Sequence, residues 1–128
     1  MHRFTTLATE SDGAIARITL NRPERRNAFD DRMVTELREA FEDLAQDPSL
    51  RGIILAGAGP VFCAGADLQG MQSEMPVAET PAIRDAHHLT RMLRVIDESP
   101  CPVIARVQGP AFGGGLGLMA VCDIVVAA

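Results

Sequence analysis

Two segments rich in glycine and alanine carry the residue types best suited to chemistry in this 128-residue sequence. Residues 61–68 read VFCAGADL and residues 112–117 read FGGGLG, and each segment follows an apolar run typical of a buried strand. Where such a turn leads into a helix, backbone N–H groups have no intrahelical acceptor. Small residues leave this backbone open to an anionic oxygen. Two facing turns would therefore supply two N–H donors to one oxyanion.

A functionless loop is an open alternative for each segment, because glycine clusters also occur in ordinary turns. Neither segment has a Walker sequence, or the G-x-G-x-x-G spacing followed by a ribose-binding acid, so nucleotide binding has little support. The serine-hydrolase sequence G-x-S-x-G is absent as well. The cysteines contain no C-x-x-C pair and form no ligand pattern with the histidines, so we expect no metal site.

The composition excludes several other classes of chemistry and of partner. All 12 basic residues are arginine, and the absence of lysine and tyrosine rules out a Schiff-base lysine and a tyrosine acid or base. A net charge of −5 makes nucleic acid an unsuitable partner. Three separated cysteines are typical of reduced thiols inside cells. With no apolar stretch typical of a signal peptide or a bilayer span, we expect a cytoplasmic protein with no membrane partner.

The elements that must position the two turns follow from the hydrophobic pattern. Alternation with period 2 predicts a hairpin with strands at residues 4–9 and 15–20. Apolar spacings of three and four predict a helix capped by Asp30 or Asp31, and the apolar run that follows predicts a strand and hence a βαβ crossover. The polar residues 69–81 favour a mobile loop. The remaining predictions are a helix at 82–98, a strand at 103–107, a short helix ending near 121 and a strand at 122–128.

Four blocks in register resemble the crotonase (enoyl-CoA hydratase/isomerase) family. The blocks are residues 18–23 with 26–29, residues 61–68, residues 107–115, and residues 118–124. Each block is modest alone, whereas four in order across nearly the whole chain are specific. The resemblance implies an α/β fold, the crotonase-like (ClpP/crotonase) spiral of ββα units, truncated at its C-terminal side. Residues 1–128 would then be the N-terminal core of that fold, without its C-terminal helical part.

The same resemblance implies acyl-CoA thioester chemistry and assigns roles to single positions. The N–H groups of Ala66 and Gly114 would form an oxyanion hole for the thioester carbonyl and its enolate. Coenzyme A would enter as part of the substrate, with no cofactor bound permanently. The positions that would contact it are Arg25, Arg26, Ala64, Ala66, Asp67 and Leu68. A guanidinium suits phosphate, but a solvated surface pair is an equally good interpretation of the two arginines.

The sequence departs from the family at the catalytic acid and base. The family's first glutamate stands three residues after the oxyanion-hole glycine, and here that position is Gly117, which cannot transfer a proton. The second glutamate would lie beyond Ala128. A glycine in place of this glutamate also resembles members such as 3-methylglutaconyl-CoA hydratase-like proteins.

No nearby side chain is a persuasive substitute for the missing glutamates. We expect Asp67 to order its loop and Asp123 to cap or pair near a strand start. Cys63 is expected to be a small buried thiol. His87 and His88 are expected to be surface residues rather than ligands.

Three hypotheses about function follow from these features. The first is an enoyl-CoA hydratase-like enzyme that adds water to a 2-enoyl-CoA. The second is a catalytically incomplete module that binds CoA thioesters or assembles with partner subunits, and the third is another crotonase reaction, by an isomerase, thioesterase or decarboxylase. The resemblance also implies a homo-oligomer, a trimer or hexamer. We expect the strands at residues 103–107 and 122–128 to expose apolar surface.

Overall fold

The computed structural model describes residues 4–66 and 81–127, although the side chains of residues 81–86 are not part of the description. The strands in these ranges are β1 (Leu7–Asp12), β2 (Ile15–Leu20), β3 (Gly52–Gly57), β4 (Val103–Val107) and β5 (Ile124–Ala127). The helices are α1 (Asp31–Leu44), α2 (Pro81–Asp97) and α3 (Gly114–Ala120), with a short 3-10 helix at Pro23–Arg25. None of these helices has the length and apolar character needed to cross a membrane.

The strands form one sheet in the order β1-β2-β3-β4-β5. β1 is antiparallel to β2, and every later neighbour is parallel. The parallel pairing of β2 with β3, with α1 between them in the chain, confirms the predicted βαβ crossover. Because parallel strands end at the same edge of a sheet, the turns that follow β3 and β4 begin side by side.

The core lies on one face of the sheet, under α1 and α2. Buried residues alternate along the three central strands, as in Ile18, Leu20, Ile53, Leu55, Val103 and Ala105. α1 contributes Met33, Val34, Leu37 and Phe41, at the spacings that the sequence predicted. Its N-terminus is capped by Asp30, whose Oδ1 accepts a hydrogen bond from the N–H of Met33 at 2.8 Å. This packing holds the carboxyl ends of β3 and β4, which the two glycine turns follow.

The first strand begins later than the sequence pattern indicated. The prediction placed it at residues 4–9, whereas β1 starts at Leu7, which lies opposite Leu20 in the hairpin. Thr5 and Thr6 are instead bound by Glu36 of α1, whose Oε1 accepts from the Thr6 N–H at 2.8 Å and from the Thr6 Oγ1 at 2.7 Å. This contact joins residues 30 positions apart, so no local alternation of residue types reveals it.

The Glu36 carboxylate makes stability depend on pH. Burial raises the pKa of Glu36, but the hydrogen bonds from Thr6 and Thr5 outweigh it and hold the pKa below its usual value of 4.5. A pKa lowered by folding adds stability above the unfolded value, and that stability is lost as the pH falls through the folded value. We expect Glu36→Gln to cost about 1–3 kcal/mol at pH 7. We also expect the free energy of unfolding to fall less steeply in the variant than in the wild type below about pH 5.

Denaturant unfolding at a series of pH values measures this difference. Glu39→Gln is the matched control, because Glu39 lies on the same helix and its carboxylate has no hydrogen-bond partner within residues 4–66 and 81–127. The control should follow the wild-type profile. If wild type and Glu36→Gln lost stability in parallel on acidification, the link between Glu36 and acid sensitivity would be wrong.

Apolar exposure is confirmed at one of the two predicted strands. In β5, which forms an edge of the sheet, Ile124, Val125 and Val126 are 42–54% exposed. For residues 103–107 the expectation was wrong, since Val103 and Val107 are buried. The reason is the sheet order, which places β4 between β3 and β5 with one face on the core. Association between chains stays a prediction, and β5 is the surface where it applies.

Candidate functional site

The turns that follow β3 and β4 lie against each other through backbone contacts. The N–H groups of Phe62 and Cys63 donate to the carbonyl of Pro110 at 3.0 and 3.4 Å. In the other direction, the N–H of Phe112 donates to the carbonyl of Cys63 at 3.0 Å. These bonds form a parallel bridge between Cys63 and Ala111. The structure thus brings together the two segments that the sequence singled out for chemistry.

Gly65 is a point where the first turn closely approaches the second. Its φ of +93° lies in the left-handed region, which favours glycine. A Cβ at this position would lie 2.8 Å from the carbonyl oxygen of Phe112 and 3.2 Å from the backbone nitrogen of Gly114. Any side chain here would strain the backbone and push the turns apart. The glycine therefore brings the first turn against the backbone of Gly114 at the residue that precedes Ala66.

The N–H groups of Ala66 and Gly114 have no acceptor among the residues that the structure describes. Neighbouring donors are satisfied, since the N–H of Gly115 bonds to the Phe112 carbonyl at 2.8 Å and that of Phe29 to the Gly65 carbonyl at 2.7 Å. Gly114 is the first residue of α3, where a backbone donor has no partner within the helix. Both backbone N–H groups are therefore available to donate hydrogen bonds to an anionic oxygen.

The other positions implied for coenzyme A lie beside the first turn or outside the described residues. Arg25 closes the 3-10 helix, Arg26 follows it, and both are exposed. The carbonyl of Arg26 accepts from the N–H of Ala64 at 3.0 Å, so the arginine loop and the turn are adjacent. Both arginine side chains thus stand at the surface next to the candidate site. Asp67 and Leu68 fall outside the described residues, as does the loop predicted at residues 69–81, up to the start of α2.

Gly117 lies on α3 one turn after Gly114 and brings no ionisable group to the site. Beyond its chain neighbours and the backbone of α3, a Cβ at Gly117 would have one described atom within 4 Å, Cδ1 of Leu93 on α2 at 3.8 Å. That distance is an ordinary van der Waals contact. The position of the family's first glutamate therefore has room for a side chain and faces α2.

Two other side chains considered for chemistry have structural roles, as expected. Cys63 is fully buried, and its Sγ–H donates to the carbonyl of Asn27 at 3.3 Å. Burial raises the pKa of the Cys63 thiol to about 11, so it is no nucleophile at neutral pH. The Oδ2 of Asp123 accepts from the N–H of Val103 at 2.8 Å, and the N–H of Asp123 donates to the Val103 carbonyl at 2.9 Å. Asp123 thus pairs at a strand start.

The histidines follow the expectation only in part. His87 is exposed, but His88 is half-buried, with Nε2 3.1 Å from Oγ1 of Thr35 on α1. His88 therefore joins α2 to α1, a contact between helices that single-sequence periodicity does not show. Within residues 4–66 and 81–127, no group of three or more His, Cys, Asp or Glu side chains is arranged to hold a metal ion.

Sequence reasoning missed Asn27, which is fully buried and lies directly under the first turn. The sequence placed it in the block at residues 26–29 but gave it no role. Its φ of 55° is left-handed, a conformation that asparagine tolerates better than most residues. An asparagine that directly follows two arginines in a loop was the signal available, and it points to backbone geometry rather than to chemistry.

A surface groove of about 330 Å³ lies away from this site. The hairpin and α1 line it, with Thr9, Ala16, Ile18, Ala40 and Leu44 among the lining residues. None of its lining residues belongs to either glycine turn. The candidate site is therefore defined by the apposed turns and their backbone donors, not by the concavity of the described surface.

Comparison with known proteins decides the family. A sequence model described as enoyl-CoA hydratase/isomerase matches residues 10–128. The chain belongs to the enoyl-CoA hydratase/isomerase, or crotonase, family. It is 39% identical over 114 residues to a putative enoyl-CoA hydratase of Thermus thermophilus, across 89% of this chain and 45% of that protein. It is 35% identical over 132 residues to the mitochondrial Delta(3,5)-Delta(2,4)-dienoyl-CoA isomerase of Mus musculus, across 96% of this chain and 40% of that protein.

Solved structures give the same result for the fold. The crystal structure of an enoyl-CoA hydratase of Mycobacterium smegmatis matches with a TM-score of 0.89 at 39% identity, over 96% of this chain and 48% of that chain. The crotonase fold predicted from the four blocks is thereby confirmed. This crotonase-family chain spans about half the length of the curated relatives it matches.

Proposed function

We propose that this crotonase-family chain binds an acyl-CoA thioester and stabilises the enolate of that thioester with the N–H groups of Ala66 and Gly114. The observation that carries the proposal is the apposition of the two turns, with both N–H groups lacking an acceptor among described residues. Addition of water to a 2-enoyl thioester, like removal of an α-proton, builds negative charge on the carbonyl oxygen. One well-placed donor to such an oxygen lowers the activation free energy by about 3–4 kcal/mol. Backbone donors leave no role for a side chain at either position.

The adjacent surface supports binding of the coenzyme. Arg25 and Arg26 stand exposed next to the turn that holds Ala64, so two guanidinium groups are within the same surface region as the proposed oxyanion hole. Guanidinium pairs with phosphate through bidentate hydrogen bonds, and coenzyme A carries phosphates. Coenzyme A would act here as a part of the substrate rather than as a resident cofactor. Ala64, Asp67 and Leu68 complete the proposed contacts.

The overall reaction that we propose is hydration of a 2-enoyl-CoA, as part of a homo-oligomer. Hydratases are among the relatives by name, and so is a dienoyl-CoA isomerase, whose name denotes a different reaction on a CoA thioester. Gly117 supports a second candidate, a thioester-binding module without turnover, because neither the glutamate position nor another described side chain at the turns offers an acid or base. Hydration of crotonyl-CoA by the purified 128-residue chain would overturn the second candidate.

Titration calorimetry with three ligands tests the binding proposal directly. The ligands are butyryl-CoA, its thioether analogue without the carbonyl, and free coenzyme A. Two hydrogen bonds to the carbonyl should make the thioester bind about tenfold more tightly than the thioether. No binding of any of the three would contradict the proposed function as a whole. Equal affinity for thioester and thioether would contradict the oxyanion hole alone.

A further inference from the structure

The amide of Asn27 connects two backbone segments in a fully buried position. Its Nδ2 lies 2.9 Å from the carbonyl oxygens of both Ala58 and Val61 and 3.2 Å from that of Phe62. Its Oδ1 accepts from the N–H of Arg22 at 2.8 Å. The side chain thus uses both donors and its acceptor to tie the loop that begins at Arg22 to the segment that leads into the first glycine turn.

Backbone hydrogen bonds on either side of Asn27 also join its loop to the first glycine turn, closer to the candidate site. The Arg26 carbonyl accepts from Ala64, and the N–H of Phe29 donates to the carbonyl of Gly65 at 2.7 Å. Gly65 immediately precedes Ala66, the proposed donor. The bonds of the Asn27 amide and of its neighbours therefore reach to within one residue of the proposed oxyanion hole.

We propose that Asn27 is the positioning residue of the first oxyanion turn, acting through its buried amide on the direction of the Ala66 N–H. The proposal rests on the proposed function, since it assigns a role within that site. A hydrogen bond to a developing oxyanion is sensitive to small displacements of its donor. Removing the Nδ2 donors leaves three carbonyls in this region without that partner and frees the segment that fixes Gly65 and Ala66.

Asn27→Asp tests the role with little change of shape. The carboxylate retains an acceptor for Arg22 and tolerates the left-handed backbone, but it places oxygen where Nδ2 faced three carbonyls. We expect the preference for butyryl-CoA over its thioether analogue to fall by about tenfold, toward unity. We expect affinity for free coenzyme A to stay within about twofold, because the arginine loop supplies that contact and the retained acceptor still holds the N–H of Arg22.

Infrared spectroscopy of the bound thioester adds a readout that a purely structural role would not move. Donation to the carbonyl lowers its stretching frequency, and we expect this shift to be smaller in Asn27→Asp than in wild type. Asn21→Asp is the matched control, because Asn21 is exposed in the preceding turn and the substitution makes the same change of charge. The control should keep both the thioester preference and the carbonyl shift. Asn27→Gly, which suits a φ of 55°, removes the Nδ2 donors together with the acceptor for Arg22 and adds no carboxylate.

Each alternative outcome has a distinct meaning. A folded Asn27→Asp or Asn27→Gly that keeps the wild-type carbonyl shift and thioester preference would overturn the positioning role. A parallel loss of free coenzyme A and thioester binding, or loss of folding in both variants, would also overturn it, because Asn27 would then support the domain as a whole. A wild type without any thioester preference would instead overturn the proposed function and, with it, this inference.

Discussion

Replacing Gly114 with proline is expected to slow enolate formation on a bound acyl-CoA by at least about 100-fold, because it removes one of two donors to the oxyanion. Proline at the first position of a helix removes an N–H that has no intrahelical partner, so α3 itself should be retained. The measurement is the rate at which butyryl-CoA exchanges its α-proton in D₂O. This rate reports the acidity of the bound thioester even when a buffer base removes the proton.

Gly114→Ala is the matched control for this substitution. A Cβ at Gly114 would meet Cε2 of Phe29 at 3.2 Å in either variant, so alanine reproduces the crowding that the Cβ introduces. Only proline replaces the N–H, with its ring Cδ, and so removes the donor. Alanine should therefore retain most of the exchange rate that proline loses. Equal losses in both variants would mean that packing against Phe29, rather than the Gly114 donor, controls the reaction.

The pattern of apolar and polar residues predicted those elements that depend only on residues close to them in the sequence. α1 has its apolar face and its Asp30 cap within one stretch of sequence, and both were found as expected. The start of β1 depends on Glu36, and the burial of β4 depends on a strand later in the chain. The runs that form β4 and β5 are similarly apolar, and only the sheet order decides which becomes buried.

The residues of the candidate site show the same difference between local signals and long-range contacts. Ala66 and Gly114 could be proposed from the sequence because glycine and alanine leave a visible signal there and because the family motif orders them. The contacts of Asn27 join positions 31–35 residues apart in the chain. A buried amide that bonds to backbone carbonyls imposes no pattern on its neighbours, so its function appears only when the two segments are seen together. The candidate positions for chemistry thus left a clearer signal in the sequence than the long-range contacts that support them.

Gly117→Glu is expected to raise the rate of α-proton exchange by about 10²-fold or more, since a positioned general base contributes about 10²–10⁴-fold. The proposed oxyanion hole would already stabilise the enolate, and the position lacks only a group that takes the proton. The new Cβ would lie 3.8 Å from Cδ1 of Leu93, so the substitution should fit without displacing α2. Mass spectrometry of deuterium uptake into butyryl-CoA measures the gain.

Gly117→Gln is the control that distinguishes the effect of a general base from the other effects of adding a side chain. Glutamate and glutamine are similar in size and in helix propensity, and both improve on glycine within α3. Only glutamate removes a proton, so the gain should be confined to it and should disappear as the pH falls below the pKa of the new carboxyl. Equal exchange in the two variants would mean that a carboxylate at position 117 does not reach the α-carbon. The acid and base of the reaction would then have to come from a position other than that of the family's first glutamate.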